Sequence, residues 1–547
     1  MNTVPKTPPL LSVDKIIYFT LAVICVIFIT TLWLLPIKQV VYFFSDDAYY
    51  YFKVAQNIVL GLGSTFDGTN LSNGYHPLWM LALLPIYALT IDSPEASLRL
   101  VLSLQVLLAC GTLVLLWRYV SNMLSWRYAL LSLIVFFFFA SPVLLLFNGL
   151  ESAMLIFWVV FLLYLDQKYD LLNETSALKI RLLLGFLLAV FMLIRLDSAF
   201  FIIALAIVKI LFGRGMGVGI LARLIYLVNL YWPTMAVFFV LISPYFIWNY
   251  LTFGHLSPIS GTLKSTFPIP IVTLGNFGIH TLPYMVPFFA VCLWVFVSLL
   301  KSRSFLRSQV IVNWNDGAGY MMLFAIWFGC LIHVLWSKLF MGWGIYQWHF
   351  VSYIPVLVLG IVFLCYSIFL RYKILEKYGE ITLLVVSALL VGLYNTFLVY
   401  EKGGHHSNRL EAAEWAQNVD KLDGFSLSDA GVFAYFNSHP TVNLDGLINS
   451  YAYQEHIVSG RLKEFLNDAG VRYIADAYTP CDYEDNHFIY VYAYRGRNRH
   501  NPTGYTYVAN KNAEVYRSSP SKYRAVTAPQ EKCFIIWDMN KVLSQRF

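Results

Sequence analysis

Charge is scarce in this chain: Asp, Glu, Lys and Arg together make up 13% of its 547 residues, against 59% hydrophobic ones. So little charge cannot cover the surface of one soluble domain, and a mean hydropathy of +0.63 belongs to a polytopic membrane protein. A basic block is also missing. The formal net charge of +7 is spread as single or paired Lys and Arg between apolar stretches, which speaks for membrane orientation and against a nucleic-acid partner. Cysteine is sparse too, with seven in all. Cys25, Cys110, Cys292, Cys330 and Cys365 lie in apolar stretches without metal-ligand spacing and read as small core residues. Cys481 and Cys533 lie in a polar region, where an oxidising compartment would let them pair, although sequence supplies no distance. The C-terminal part has no GxGxxG, no GxxxxGK[ST] and no HExxH, so nucleotide binding and zinc hydrolysis lack support there.

What is present is long apolar runs. Stretches near 16–37, 94–117, 128–147, 152–166, 182–194, 198–212, 224–246, 282–300, 319–338, 350–370 and 381–399 are apolar enough to cross about 30 Å of hydrocarbon, singly or as short pairs. The first follows a polar, proline-bearing start without a small-residue cleavage pattern and reads as a retained span. With Met1 cytoplasmic, alternate loops on that side carry Arg118 and Arg127, then Lys179 and Arg181, Arg214 and Arg223, Arg303 and Arg307, and Arg371 and Lys377. About eleven crossings then put the loop after residue 45 and everything beyond about 400 on the extracytoplasmic side of the plasma (inner) membrane. The expected architecture is a polytopic α-helical membrane protein with interfacial helices in its first outer loop, divided into a transmembrane domain, 1–400, and an extracytoplasmic soluble α/β domain, 401–547. In the latter, Asn408–Val419 and Tyr453–Ala469 have helical spacing, and Phe425–Leu427, Thr441–Leu444 and Val471–Ala475 read as strands.

Against this background the adjacent carboxylates Asp46 and Asp47 stand out. Neighbouring acids repel, so one can keep its proton above the usual range, and the pair can supply a base and its partner or grip a cation; a solvated loop with two acids is the alternative. They begin a helix whose Tyr50, Val54 and Ile58 share a face, expected to lie flat on the membrane until Gly61 and Gly63 end it. The run 64–76 that follows is rich in hydrogen-bonding side chains, among them Asp67, Asn73, Tyr75 and His76, and suits either a hydroxylated ligand or plain turns. The segment His76–Leu89 is too short to cross and is expected in the interface, anchored by Trp79 and Tyr87. Other outer-face candidates are Glu151, a helix cap or a site acid; Arg195, an internal partner of Asp197 or an anion contact; Lys264, an interface lysine or a phosphate contact; and His349.

The run SDDAYYYFKVAQNIVLGLGSTFDGTNLSNGYHPLW, with NGLES, LIRLDS, WNYLTFGHLSPISGTLK and DAGVFAYFNSHPTVNLDGLIN, resembles bacterial members of the C-type glycosyltransferase superfamily, which includes protein O-mannosyltransferases and lipid A aminoarabinose transferases. The resemblance implies an inverting enzyme that takes a sugar from a polyprenyl-phosphate carrier and passes it to a glycan, lipid or protein acceptor. It implies Asp46 as base with Asp47 beside it, or Asp47 by the oligosaccharyltransferase alignment. His76-Pro77-Leu78 stands for a Lys-Pro-Pro-Leu-like segment, with His for the cation and one proline missing. Arg195, Lys264, His76 and His349 would steady the leaving phosphate, and Asp67, Asn73, Tyr75 and Glu151 would contact substrate. Relatives that use a divalent metal would hold it here through Asp47 and Glu151; nothing in the sequence requires one. A flippase or transporter of lipid-linked glycans is the alternative, disfavoured because the acids gather at the outer surface rather than at mid-membrane.

Overall fold

The computed structural model describes residues 10–140, 145–212, 219–271, 281–282, 284–293, 320–371, 406–483, 486–494, 502–525 and 528–547. Its N-terminal part is helical: α1 (Leu10–Leu34), α2 (Ile37–Val41), α3 (Asp46–Val59), α4 (Pro77–Leu89), α5 (Pro94–Met123), α6 (Trp126–Ala140), α7 (Ser152–Tyr169), α8 (Leu178–Ile194), α9 (Ala199–Phe212), α10 (Ile220–Phe253), α11 (Ile259–Lys264), α12 (Tyr284–Leu293), α13 (Tyr320–Phe340) and α14 (Ile354–Arg371). Six of the described helical stretches are long and apolar enough to cross a membrane: Val13–Leu34, Pro94–Met123, Ser152–Tyr169, Ile220–Phe253, Met321–Phe340 and Trp348–Phe369. The expected crossing at 381–399 lies outside the described residues. Wide apolar faces on α1 and α10 are left uncovered, with Phe19, Val26, Val240 and Leu251 all exposed, and such faces need hydrocarbon around them.

Between α8 and α9 the helix is interrupted. Arg195 is extended (φ −148°, ψ 124°) and Leu196–Ser198 form a single 3₁₀ turn. Broken backbone at membrane depth is tolerated where it lines a cavity, and this break turns Arg195 and Asp197 inward.

The first outer loop differs from expectation. Helix α3 begins at Asp46, but Ala48, Tyr49, Tyr50, Tyr51 and Phe52 are all buried, because the helix is clamped between α4 and the C-terminal part rather than lying flat on the bilayer. Trp79 and Tyr87 are completely buried as well. Trp79 donates its indole N–H to the Gly149 carbonyl (2.9 Å), and Tyr87 donates its hydroxyl to that of Tyr435 (3.3 Å); both are packing residues, not interface anchors.

The C-terminal part contains helices α15 (Ser407–Ala416), α16 (Gly431–Phe436), α17 (Tyr451–Ser459) and α18 (Leu462–Asp468), and strands β1 (Gly424–Leu427), β2 (Thr441–Asn443), β3 (Val471–Pro480), β4 (His487–Tyr492), β5 (Gly504–Ala509), β6 (Glu514–Arg517), β7 (Ser521–Ala525), β8 (Ala528–Asp538) and β9 (Leu543–Arg546). One sheet runs β2-β1-β3-β8-β6, with β7 also on β8, and a second runs β4-β5-β9. Strands β2, β1 and β3 are mutually parallel, and every residue of β1 is buried, as expected of a central parallel strand. The single helix expected over 453–469 is two, because Gly460 takes a left-handed conformation (φ +82°) that ends α17. Cys481 and Cys533 are bonded to each other across β3 and β8.

Candidate active site

The helical part and the C-terminal part meet at the N-terminus of α3, and the two adjacent acids divide the contact. Asp46 turns toward the C-terminal part: its Oδ2 accepts from the Gly431 amide (2.9 Å) and its Oδ1 from the Val432 amide (3.1 Å), with the buried Arg409 guanidinium 3.6 Å away. Gly431 is required for this approach, since a Cβ there would run into the Asp46 carbonyl oxygen. One turn along, Tyr50 donates to Asp445 (2.9 Å), and His406 Nε2 lies 2.9 Å from the Phe44 carbonyl. Asp47 turns the other way, and its carboxylate accepts no hydrogen bond among the described residues. Burial pushes both carboxyls up to about 7; at Asp46 the pull of Arg409 opposes it, and at Asp47 that of Lys264.

Two cavities meet at Asp47. The first, of about 560 Å³, is lined by Asp47, Tyr75, Glu151 and all four candidate basic residues, His76, Arg195, Lys264 and His349, and is walled on one side by Phe200, Phe246, Phe267, Trp336 and Phe340. The second, of about 600 Å³, lies between α3 and the C-terminal part and includes both Asp46 and Asp47. Asp47, Lys264, Trp348 and Leu447 border both cavities.

The four basic residues are not equivalent. Arg195 forms a two-pronged pair with Asp197 (Nε–Oδ1 3.0 Å, Nη2–Oδ2 2.6 Å), and its Nη1 donates to Glu151 Oε1 (3.2 Å) and to the Trp348 carbonyl (2.9 Å). Its charge is compensated by two carboxylates, and it ties the start of α7, the α8–α9 break and the 3₁₀ turn Gln347–Tyr353 before α14 together. His76 is held below its ordinary pKa by burial, against the pull of Glu151. It is therefore a neutral hydrogen-bonding group at neutral pH, 3.8 Å from Glu151. His349 Nδ1 accepts from the Tyr346 amide (3.1 Å), which leaves Nε2 as its other ring nitrogen. Lys264, at the end of α11, has no hydrogen-bond or ion-pair partner for its ammonium among the described residues, and burial lowers its pKa while Asp47 pulls the other way.

Glu151 stands at the cap position of α7 yet makes no capping bond. Its Oε2 accepts from the Tyr51 hydroxyl (3.3 Å) and its Oε1 takes Arg195. A carboxylate already neutralised by a guanidinium is a poor ligand for a divalent cation, so Asp47 and Glu151 do not fit a metal. Among the described residues no group of three or more His, Cys, Asp or Glu is arranged to hold one.

Two of the expected substrate contacts lie elsewhere. Asp67 accepts from the backbone and side chains of Thr69 and Asn70, at 2.8 to 3.2 Å, which closes its own loop. Asn73 donates to Asn249 (3.0 Å) and accepts from the Ile259 amide (2.9 Å), which anchors the loop to α10 and α11. Neither residue lines either of these two cavities.

Comparison with known proteins adds the following. Residues 399–530 match a family described as Domain of unknown function (DUF8728). No curated protein matches the sequence. Among solved structures the chain is similar to the Archaeoglobus fulgidus oligosaccharyltransferase in its apo form, at 12% identity over 84% of this chain and 69% of that one with a TM-score of 0.49. It is also similar to ArnT from Cupriavidus metallidurans bound to undecaprenyl phosphate, at 11% identity over 83% of this chain and 93% of that one with a TM-score of 0.49.

Sequence reasoning missed the C-terminal contribution to the second cavity, namely Asp429, Asp445, Tyr478, Tyr490 and Tyr492, as well as Arg409 behind Asp46. A signal for the acids was available. Asp429 and Asp445 each lie two residues beyond the carboxyl end of a parallel strand, where ligands of α/β sheets collect.

Proposed function

We propose that the chain is an inverting glycosyltransferase, hexosyl or pentosyl, that moves a sugar from a polyprenyl-phosphate carrier to a glycan, lipid or protein acceptor at the extracytoplasmic face of the plasma membrane. The observation that carries this reading is the first cavity, which brings together an acid, Asp47, and an ammonium, Lys264, each without a hydrogen-bond partner among the described residues, beside aromatic side chains. Breaking a sugar–phosphate ester develops positive charge at the anomeric carbon and negative charge on the departing phosphate, so the chemistry needs one base and one anion site.

In the proposed reaction Asp47 accepts the proton of the acceptor hydroxyl as its oxygen bonds to the anomeric carbon. The bond from that carbon to the phosphate oxygen breaks at the same time, and the carrier phosphate leaves with the electron pair. Lys264 offsets its charge, with His76 and His349 as neutral donors beside it. Asp46 clasps the C-terminal part in this scheme and leaves the proton transfer to Asp47. The proposed layout keeps residues 1–400 as a membrane domain of about eleven crossings with the N-terminus cytoplasmic, and 401–547 as an extracytoplasmic domain; a disulfide in the latter supports that side.

The test is to incubate purified protein with labelled polyprenyl-phosphate sugars of several kinds and to measure release of the carrier phosphate. No release with any donor, from protein that is folded and binds the carrier, would reject the enzyme in favour of a transporter.

A further inference from the structure

The second cavity has a different character from the first. Its aliphatic lining is limited to Leu444 and Leu447, so it does not suit an acyl chain. Its walls are aromatic. From the membrane side come Trp343, Tyr346 and Trp348, the last two stacked at 4.7 Å with 12° between their planes; from β3 and β4 come Tyr478 and Tyr490. Flat aromatic faces paired with fixed carboxylates match the two surfaces of a pyranose ring, whose C–H face packs on π-systems and whose hydroxyls donate to oxygen acceptors.

Two carboxylates occupy such positions. Asp445 follows β2 and is held by the Tyr50 hydroxyl (2.9 Å), the Asn443 side-chain amide (2.9 Å) and the Leu447 amide (2.9 Å). Asp429 follows β1 in a left-handed conformation (φ +48°), with its amide donating to Asp445 (3.2 Å). Both stand beyond the carboxyl ends of neighbouring parallel strands, and the volume of about 600 Å³ falls in the range of roughly 300–1,000 Å³ usual for small-molecule sites. Among the residues this cavity shares with the first are the two charged ones, Asp47 and Lys264.

We infer that the second cavity is a saccharide-binding chamber that presents a sugar hydroxyl to Asp47, with Asp429 and Tyr490 of the C-terminal part selecting the acceptor. The inference rests on the glycosyltransferase reading and narrows its acceptor to a carbohydrate, free or carried on a lipid. The C-terminal part is then a substrate-reading element and not a lid. Asp429 and Tyr490 are positioning residues that do not themselves take the proton.

The experiment uses the full chain in nanodiscs, with a panel of pyranosyl di- to tetrasaccharides offered free and attached to a lipid anchor, and a panel of short peptides beside them. Binding is followed by tryptophan fluorescence, and binding of polyprenyl phosphate is measured separately. At least one saccharide is expected to bind the wild-type chain, and Tyr490→Ala and Asp429→Asn each to weaken it by about tenfold or more, with carrier affinity unchanged. The arm that binds, free or lipid-anchored, identifies the source of the sugar. Tyr490 is half exposed, so its truncation tests the wall without threatening the core. Binding of peptides and of no saccharide, or saccharide binding equal in wild type and both variants, would overturn the inference. Saccharide binding that is lost in the variants while polyprenyl phosphate fails to bind at all would sink the transferase reading and leave the chamber standing.

Discussion

At the scale of single residues, Asp46 and Asp47 share sequence context and differ in what they touch. Asp47→Asn is expected to lower turnover by about 10²–10⁴-fold, because the amide cannot accept a proton, while leaving carrier binding intact. Asp46→Asn is expected to act on structure: it weakens the acceptors for the Gly431 and Val432 amides and removes one of the two carboxylates, with Asp429, that offset the buried Arg409. Turnover assays side by side with thermal melts separate the two; a folded Asp46→Asn with no turnover and a turnover-competent Asp47→Asn would reverse the assignment. The pH dependence has a definite sign. With burial pushing Asp47 up to about 7 and Asp47 acting as the ionised base in the proposed reaction, kcat/KM is expected to fall as pH drops through that value, and an acid limb centred near 4 would argue against Asp47. A second comparison sets Lys264 against Arg195. Lys264→Met is expected to weaken carrier binding in a folded protein, whereas Arg195→Ala strands the buried Glu151 and the partly buried Asp197 without their guanidinium and is expected to cost about 3–5 kcal/mol of stability. Expression level and melting temperature, read beside carrier binding, decide between these roles.

At the scale of elements, the decisive contact is α3 against α16. Gly431→Val puts a side chain where the Asp46 backbone lies and is expected to undock the C-terminal part, raising hydrogen exchange in α3 while the Cys481–Cys533 bond stays formed. Unchanged protection of α3 would mean that the other contacts suffice. Much of this architecture was legible in the sequence. Asp46, Asp47, Glu151, Arg195 and Lys264 stood out because ionised groups are rare in an apolar chain, and rarity makes each one informative. The burial of α3 and α4 was not legible, because a helix clamped between two parts of a protein and one lying on a bilayer can carry the same aromatic residues. Asp67 and Asn73 show a related ambiguity: a side chain suited to bind a hydroxylated ligand is equally suited to bind its own loop. Asp429 and Asp445 stayed hidden because Asp is ordinary after a strand, and only the pairing of β1 with β2 brings them together.

At the scale of the whole molecule, the layout makes a topological claim. Reporter fusions after Gly68 and after Gly403 are expected to report the same, extracytoplasmic, side; opposite signals would break the count of about eleven crossings. The disulfide adds a stability claim. Replacing Cys481 and Cys533 by Ser is expected to cost roughly 2–4 kcal/mol, seen as a lower melting temperature of the wild-type chain under reducing conditions and no such dependence in the variant.

The ammonium of Lys264, without a hydrogen-bond or ion-pair partner among the described residues, has a kinetic consequence. A polyprenyl-phosphate sugar is a phosphodiester with one negative charge, whereas the spent carrier is a monoester that approaches two at neutral pH, its second ionisation lying near 6. In the proposed reaction the same lysine is therefore expected to hold the used lipid more tightly than the fresh one, so that departure of the carrier rather than glycosyl transfer would set the pace. A burst of one product per enzyme before the steady rate, disappearing in Lys264→Met, is the expected signature; a linear progress curve from the first turnover would mean that the chemistry itself is slow.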